Sequence, residues 1–419
     1  MAPVMDVQEL AGHLQQLDFR VVSLLDLTLQ EMDAAIERFL QLLDRGVYAV
    51  FYYAGHGYEH MGRNYLVAVD APRPYRTLNC VCVQRVMCRM QERRASLNVI
   101  LLDTCRKWFK QTGPASDIKP LAPLGNTVYG YATTEDAEAF EVQDGGKSTG
   151  IFTKYLNKYI LQPQKVTHVL EQVSEDLGRD QLVSGRQVVE IKHTLKEPRA
   201  LTDPVETAGH TEELRLRDVC WRQANVLPGQ KLLDFPCGVQ VELSFSALFS
   251  NVLLVFGKVR NAGPTAQDCT LELRSEPGME DLFSGSDGSE ETSLVSSAAE
   301  DPDCSLRLCC LQRLESSLVI EVQLRYFHPE KKLRLTERRE VDVGRPLVAS
   351  CKLSQRTPED RRREVTQPDA RRPRHPLGHA ARPSTRKAEN VYPSVVSAAS
   401  TSTNQPEEND ENDSQEFSV

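Results

Sequence analysis

Apolar residues in the first half of the chain recur with two different periods. Val7, Leu10, Ala11, Leu14 and Leu17 fall three or four apart, which puts them on one face of a helix. Residues 21–25 read as a short strand. Met32, Ile36, Leu40 and Leu43 mark a second amphipathic helix within residues 26–45, which Gly46 can end. Residues 47–53 are an all-apolar run bounded by Gly46 and Gly55, the pattern of a buried strand. Residues 80–93 predict a helix, 98–103 and 127–132 strands, 151–161 and 166–177 helices, and 187–195 a last, alternating strand. Strands alternating with helices predict an α/β domain, a mostly parallel sheet flanked by helices on both faces. Such sheets place ligands at the carboxyl ends of their strands.

The pattern changes after Pro204. Residues 212–226 predict a helix carrying Trp221, within a linking segment at 205–229. Strands without helices follow: 238–245, 252–259, 269–273, 305–311, 318–326 and 338–343. Turn-rich segments separate them, as expected of an immunoglobulin-like all-β sandwich over 230–348. Cys237 and Cys304 need no bridge to hold such a core. Residues 349–419 predict a disordered tail. Within it, 352–390 hold 11 Lys and Arg against 5 Asp and Glu, and 401–419 hold 6 acids and no base. Few large apolar residues are present there to offset the entropy of ordering.

Composition narrows the class. The 419 residues carry a net charge of -9, which argues against nucleic acid as the main partner. No apolar run is long enough to span a membrane, and no basic segment leads into an apolar core as in a signal peptide. A cytoplasmic location is expected, with the nucleus left open. The 11 cysteines are odd in number and irregularly spaced, so most are expected to be reduced core thiols.

Two strings carry candidate chemistry. Tyr53-Ala54-Gly55-His56-Gly57 ends one buried strand, and Leu101-Leu102-Asp103-Thr104-Cys105 ends another, with His56 and Cys105 49 positions apart. That order and separation are those of cysteine proteases of the caspase clan. A nucleophilic thiol needs access and a neighbouring base. Cys105 is the candidate nucleophile, and His56 the base that later protonates the leaving amine. The Gly57 and Cys105 amides are candidate oxyanion donors. Zinc is a competing chemistry, since His56 and His60 have His-x3-His spacing and Cys80 and Cys82 are near in sequence. No metal or cofactor is the reading preferred here. Asp103 shares a strand face with Cys105. A carboxylate there disfavours the thiolate, which suggests that it serves a basic substrate side chain. Glu138 and Glu141 follow the next strand and are placed to join it.

The chain resembles the paracaspase family. The resemblance rests on Phe51-Tyr52-Tyr53-Ala54-Gly55-His56-Gly57-Tyr58-Glu59, Val69-Asp70-Ala71-Pro72, Pro74-Tyr75-Arg76, the strand leading to Cys105-Arg106-Lys107, Gly130-Tyr131-Ala132-Thr133, Ala137 to Glu141, Arg199 to Pro204, and Phe249-Ser250-Asn251-Val252. It implies a caspase-like protease followed by an immunoglobulin-like domain. It further implies cleavage of protein substrates after arginine, with Cys105 as nucleophile and His56 as its partner. Asp6, Asp103 and Glu141 then hold the substrate arginine, and Trp221 is the allosteric contact between linking helix and protease. A homodimer through the caspase-like domain, by the strand near 187–195, is implied too. So is a role as protease and scaffold in NF-kappa-B signalling downstream of antigen receptors.

The departures carry expectations of their own. Met1 falls just before the first helix, so the caspase-like domain, 1–204, is expected to lack its first strand. The death domain and two further immunoglobulin-like domains of the family are absent, so upstream adaptor binding is not expected. Trp108 and Phe109 replace polar residues after the nucleophile. Pro406, Glu408 and Glu411 fit a docking pattern for TNF-receptor-associated ubiquitin ligases. A non-catalytic scaffold recruiting such ligases through the tail is the second reading.

Overall fold

A computed structural model describes residues 2–107, 124–144, 147–204, 211–263, 265–280, 302–351 and 353. They belong to one compact unit, 1–362. Trp108, Phe109, Pro406, Glu408, Glu411 and nearly all of the expected tail lie outside the described residues.

The amino-terminal part holds α1 (Ala2–Gln16), α2 (Leu29–Gln41), β1 (Tyr48–Gly55), β2 (Gly57–His60), β3 (Arg63–Val67), β4 (Cys80–Cys82), α3 (Val83–Glu92), β5 (Leu97–Thr104) and β6 (Thr127–Tyr131). It continues with β7 (Glu141–Asp144), β8 (Lys147–Gly150), α4 (Ile151–Tyr159), α5 (Val166–Arg179) and β9 (Glu190–His193). The central sheet has the order β1-β5-β6-β9. β1, β5 and β6 are parallel, and β9 joins antiparallel. The side chains of β5 alternate between two cores. Leu97, Val99 and Leu101 face α1, α4 and α5, whereas Ile100 and Leu102 face α2 and α3. Burial on both faces is why residues 99–102 of this strand read as a continuous apolar run.

Residues 21–25 form no strand. They lie in the connector between α1 and α2, and their side chains divide among three cores: Val21, Leu24 and Leu25 each pack into a different one. Their backbone is satisfied from outside any sheet. Leu25 N–H donates to Asn251 Oδ1 at 2.9 Å, Asn251 Nδ2 donates back to Leu25 O at 2.7 Å, and Ser250 N–H donates to Ser23 O at 2.8 Å. The helix expected at 80–93 begins only at Val83, because residues 80–82 pair with β3.

The linking helix is α6 (Thr211–Asn225). The sandwich comprises β10 (Lys231–Asp234), β11 (Gln240–Phe249), β12 (Val252–Asn261), β13 (Gln267–Glu276), β14 (Cys304–Leu308), β15 (Leu318–His328) and β16 (Leu333–Gly344). Two antiparallel sheets, β10-β11-β12-β14 and β13-β15-β16, close over one core. None of the eleven cysteines is in a disulfide. Packed structure extends past the expected limit of 348: Ala349 and Leu353 are buried in the sandwich core, and residues 347–351 form a 3-10 turn against α6. Ala224 of α6 reaches the same core. Across the domain boundary, Arg313 pairs with Glu31 at 2.7 Å, and Glu31 also closes the capping box of α2. No described helix is long and apolar enough to cross a membrane.

Candidate active site

The register of the parallel strands builds the site. Gly55 of β1 lies opposite Thr104 of β5. One residue further on, His56 and Cys105 leave neighbouring strands side by side. His56 is exposed and Cys105 half-buried. The Ala139 amide donates to Cys105 Sγ at 3.4 Å. Gly57 is required here by close approach, since a Cβ at that position would lie 2.9 Å from Thr104 Cβ. The absent side chain lets the segment after His56 lie against the strand that ends in Cys105.

The side chain after Cys105 is a buried hub. Arg106 is 3% exposed. Its guanidinium donates to Asn64 Oδ1 at 3.0 Å, to Thr133 O at 3.0 Å, to Glu59 at 2.8 Å and to Glu190, and it lies over the Tyr131 ring. Its backbone pairs with the loop after β6, donating to Ala137 O and accepting from Asp136 N–H. Burial raises the Glu59 carboxyl even though Arg106 opposes it. At Glu190 burial acts in the same sense, but Lys192 and Arg106 outweigh it and the carboxyl is held low.

Three of the expected acids come together. Asp6 on α1, Asp103 at the end of β5 and Glu141 at the start of β7 line one cavity of about 1460 Å³ with His56 and Cys105. Burial pushes Asp6 up to about 7; the Gly150 amide opposes, and the charges of Asp103, Glu9 and Glu141 add to the rise. Burial likewise lifts Asp103 to about 6, against hydrogen bonds from Thr153 and with Glu141 adding. Clustered, desolvated acids without a cation have this signature. Glu138 does not join them; it is exposed and paired with Lys107 at 3.7 Å.

Trp221 lies on the wall of the same cavity. Its Nε1 donates to Val21 O at 3.0 Å, and Arg20 stacks over its ring. The linking helix is thereby tied to the connector that also bonds Ser250 and Asn251. The zinc alternative finds no support in packing. Cys80 and Cys82 are buried with Tyr58 and Tyr65, whereas His56 is exposed. Among the described residues no group of His, Cys, Asp and Glu is gathered as a metal would need.

Sequence reasoning missed Arg106, Glu59, Gly150 and Thr153. For Arg106, adjacency to Cys105 was the available signal; the other three had none. Asp6 entered only through the family resemblance, because 97 positions separate it from Asp103.

Comparison with known proteins follows the same division. The family model described as Caspase domain matches residues 1–198, and that described as MALT1 Ig-like domain matches 224–355. Mucosa-associated lymphoid tissue lymphoma translocation protein 1 of Homo sapiens is 42% identical over 359 residues, and its Mus musculus homolog is 43% identical over 357. Each match takes in 84% of this chain and 43% of the relative, so the chain spans less than half the length of either. With a caspase-like α/β domain followed by a MALT1-type immunoglobulin-like sandwich, the chain belongs to the paracaspase family.

Proposed function

We propose that this chain is a cysteine endopeptidase that cleaves protein substrates after arginine through a Cys105–His56 dyad. Its setting is cytoplasmic, as protease and scaffold in NF-kappa-B signalling downstream of antigen receptors. The observation that carries the chemistry is the pairing of strand ends with an acid cluster. His56 and Cys105 follow adjacent strands in register. Asp6, Asp103 and Glu141 line the same cavity, close enough that Asp103 and Glu141 raise Asp6 and Glu141 raises Asp103. The Cys105 thiolate attacks the carbonyl carbon after its proton passes to His56. The oxyanion accepts hydrogen bonds from the Gly57 and Cys105 amides. His56 then protonates the departing amine, and water releases the acyl group by the reverse sequence. Asp6, Asp103 and Glu141 receive the substrate guanidinium, whose planar fork suits paired carboxylate oxygens. Trp221 joins the linking helix to this assembly. β9 is the last strand in the order of the central sheet, and a homodimer formed by pairing β9 with its copy in a second chain fits that position.

Turnover of fluorogenic peptides tests the assignment. A peptide ending in arginine is expected to exceed its aspartate counterpart by more than about 100-fold in kcat/KM, since an acid among these acids is repelled by several kcal/mol. Equal turnover of the two removes the arginine assignment.

A pH dependence follows from Asp6 and Asp103. Both must be ionised to hold a guanidinium, and both hold protons more tightly than the ordinary 3.8. The inhibition constant of agmatine, which stays cationic throughout, is expected to rise about tenfold from about pH 8 to about pH 6. Stability of the unliganded protein runs the other way. A raised acid favours the folded state below its unfolded pKa, and that contribution is lost as pH rises through about 7. An inhibition constant that is flat over this range contradicts the pocket.

A further inference from the structure

The acids of the arginine pocket are held by the first turn of α4. The opening amides of a helix have no partner within it and must find one elsewhere. Gly150, at the cap of α4, has no side chain to serve them. The Ile151 amide donates to Phe140 O, and two acids from distant elements take the Gly150 amide and the Thr153 hydroxyl. The Gly150 amide donates to Asp6 Oδ2 at 2.6 Å, and the Thr153 hydroxyl donates to Asp103 Oδ2 at 2.6 Å.

Thr153 is fully buried, so no water competes for its hydroxyl. That hydroxyl has one proton, and the ionised Asp103 can only accept. Tyr52 OH, 2.6 Å from Thr153 Oγ1, is therefore the donor to Thr153. The result is a directed chain from Tyr52 through Thr153 to Asp103. It fixes the rotamer of Asp103 and favours its charged form. Gly150 sets the space between the carboxylates. A Cβ there would lie 2.9 Å from Asp103 Oδ2 and 3.4 Å from Asp6 Oδ2, in the gap over which the two acids converge.

We propose that the first turn of α4, through Thr153 and Gly150, determines specificity by presetting Asp103 and Asp6 for a substrate guanidinium. This rests on the arginine-pocket reading above. Thr153 is a positioning residue, since it acts through Asp103. An ordinary structural cap would also use these bonds, but its loss would lower stability without singling out substrate binding.

The test uses the full chain and a fluorogenic peptide ending in arginine. Thr153→Val keeps the shape and removes the donor. It is expected to raise KM about tenfold and to leave kcat within about twofold, with the inhibition constant of agmatine rising in parallel. Thr153→Ser, which restores the hydroxyl, is expected to return both to wild-type values. Tyr52→Phe removes only the far donor and is expected to raise KM about threefold; it decides the matter if Thr153→Val does not fold. Gly150→Ala is expected to weaken agmatine most, by filling the gap itself. An unchanged KM in both Thr153→Val and Tyr52→Phe, with a wild type that prefers arginine, overturns the role of α4 alone. A fall in kcat that Thr153→Ser does not reverse also overturns it. A wild type that cleaves without preference for arginine removes the pocket, and this inference with it.

Discussion

Alanine at Cys105 is expected to cut hydrolysis of arginine peptides to a small residual rate, and alanine at His56 to lower kcat by about 100- to 10,000-fold. The informative measurement is the double variant. Residues that act as one unit give losses far from additive. Cys105→Ala with His56→Ala is therefore expected to be no slower than Cys105→Ala alone. The structure gives the reason. The two residues leave β1 and β5 one step beyond a paired Gly55 and Thr104, the placement the proposed dyad requires. Agmatine binding is expected to survive in both single variants, because the acids belong to α1, β5 and β7 and need no contact from the thiol. Multiplicative losses in the double variant would mean that His56 works independently of Cys105. Loss of agmatine binding in Cys105→Ala would mean that the acid cluster depends on the thiol.

The sheet was legible because it is buried on both faces. An apolar run such as 99–102 has few other uses in an α/β domain. The same logic failed at 21–25. There the apolar residues serve three separate cores, and the backbone partners come from Ser250 and Asn251, more than 200 positions away. Short hairpins such as β2–β3 and β7–β8 escaped because four or five residues hold too little periodicity. The positions of His56 and Cys105 were legible for a simpler reason: each follows the end of a strong strand signal. The support of the site was not. Thr153 looks like any residue on an amphipathic helix until α4 is seen to point its first turn at Asp103. Asp6 looks like a surface acid on α1 until that helix is packed against α4 and β8.

Arg106→Ala is expected to cost more stability than any other single change near the site, about 3–5 kcal/mol. Glu59 and Arg106 are both nearly inaccessible, and their ion pair at 2.8 Å leaves Glu59 with an uncompensated buried charge once the guanidinium is gone. At about 2–4 °C per kcal/mol for a domain of this size, the unfolding midpoint should fall by roughly 10 °C. Arg106→Lys keeps a charge but loses the fork that reaches Asn64, Thr133, Glu59 and Glu190 together, so it should recover only part of the loss. Glu59→Gln in the Arg106→Ala background should restore stability, since it removes the stranded charge. The pH dependence has a definite sign. Without Arg106 the Glu59 carboxyl rises further, so the defect is smallest in acid, where Glu59 is protonated in both states, and grows as pH rises. Activity should fall with it, through kcat. Arg106 ties the β2–β3 hairpin, which begins beside His56, to the loop whose Ala139 amide contacts Cys105 Sγ. A full-rate Arg106→Ala enzyme at low temperature would show that the hub stabilises the fold without placing the dyad. An unfolding midpoint insensitive to both Arg106→Ala and Glu59→Gln would show that the buried pair contributes nothing to the fold.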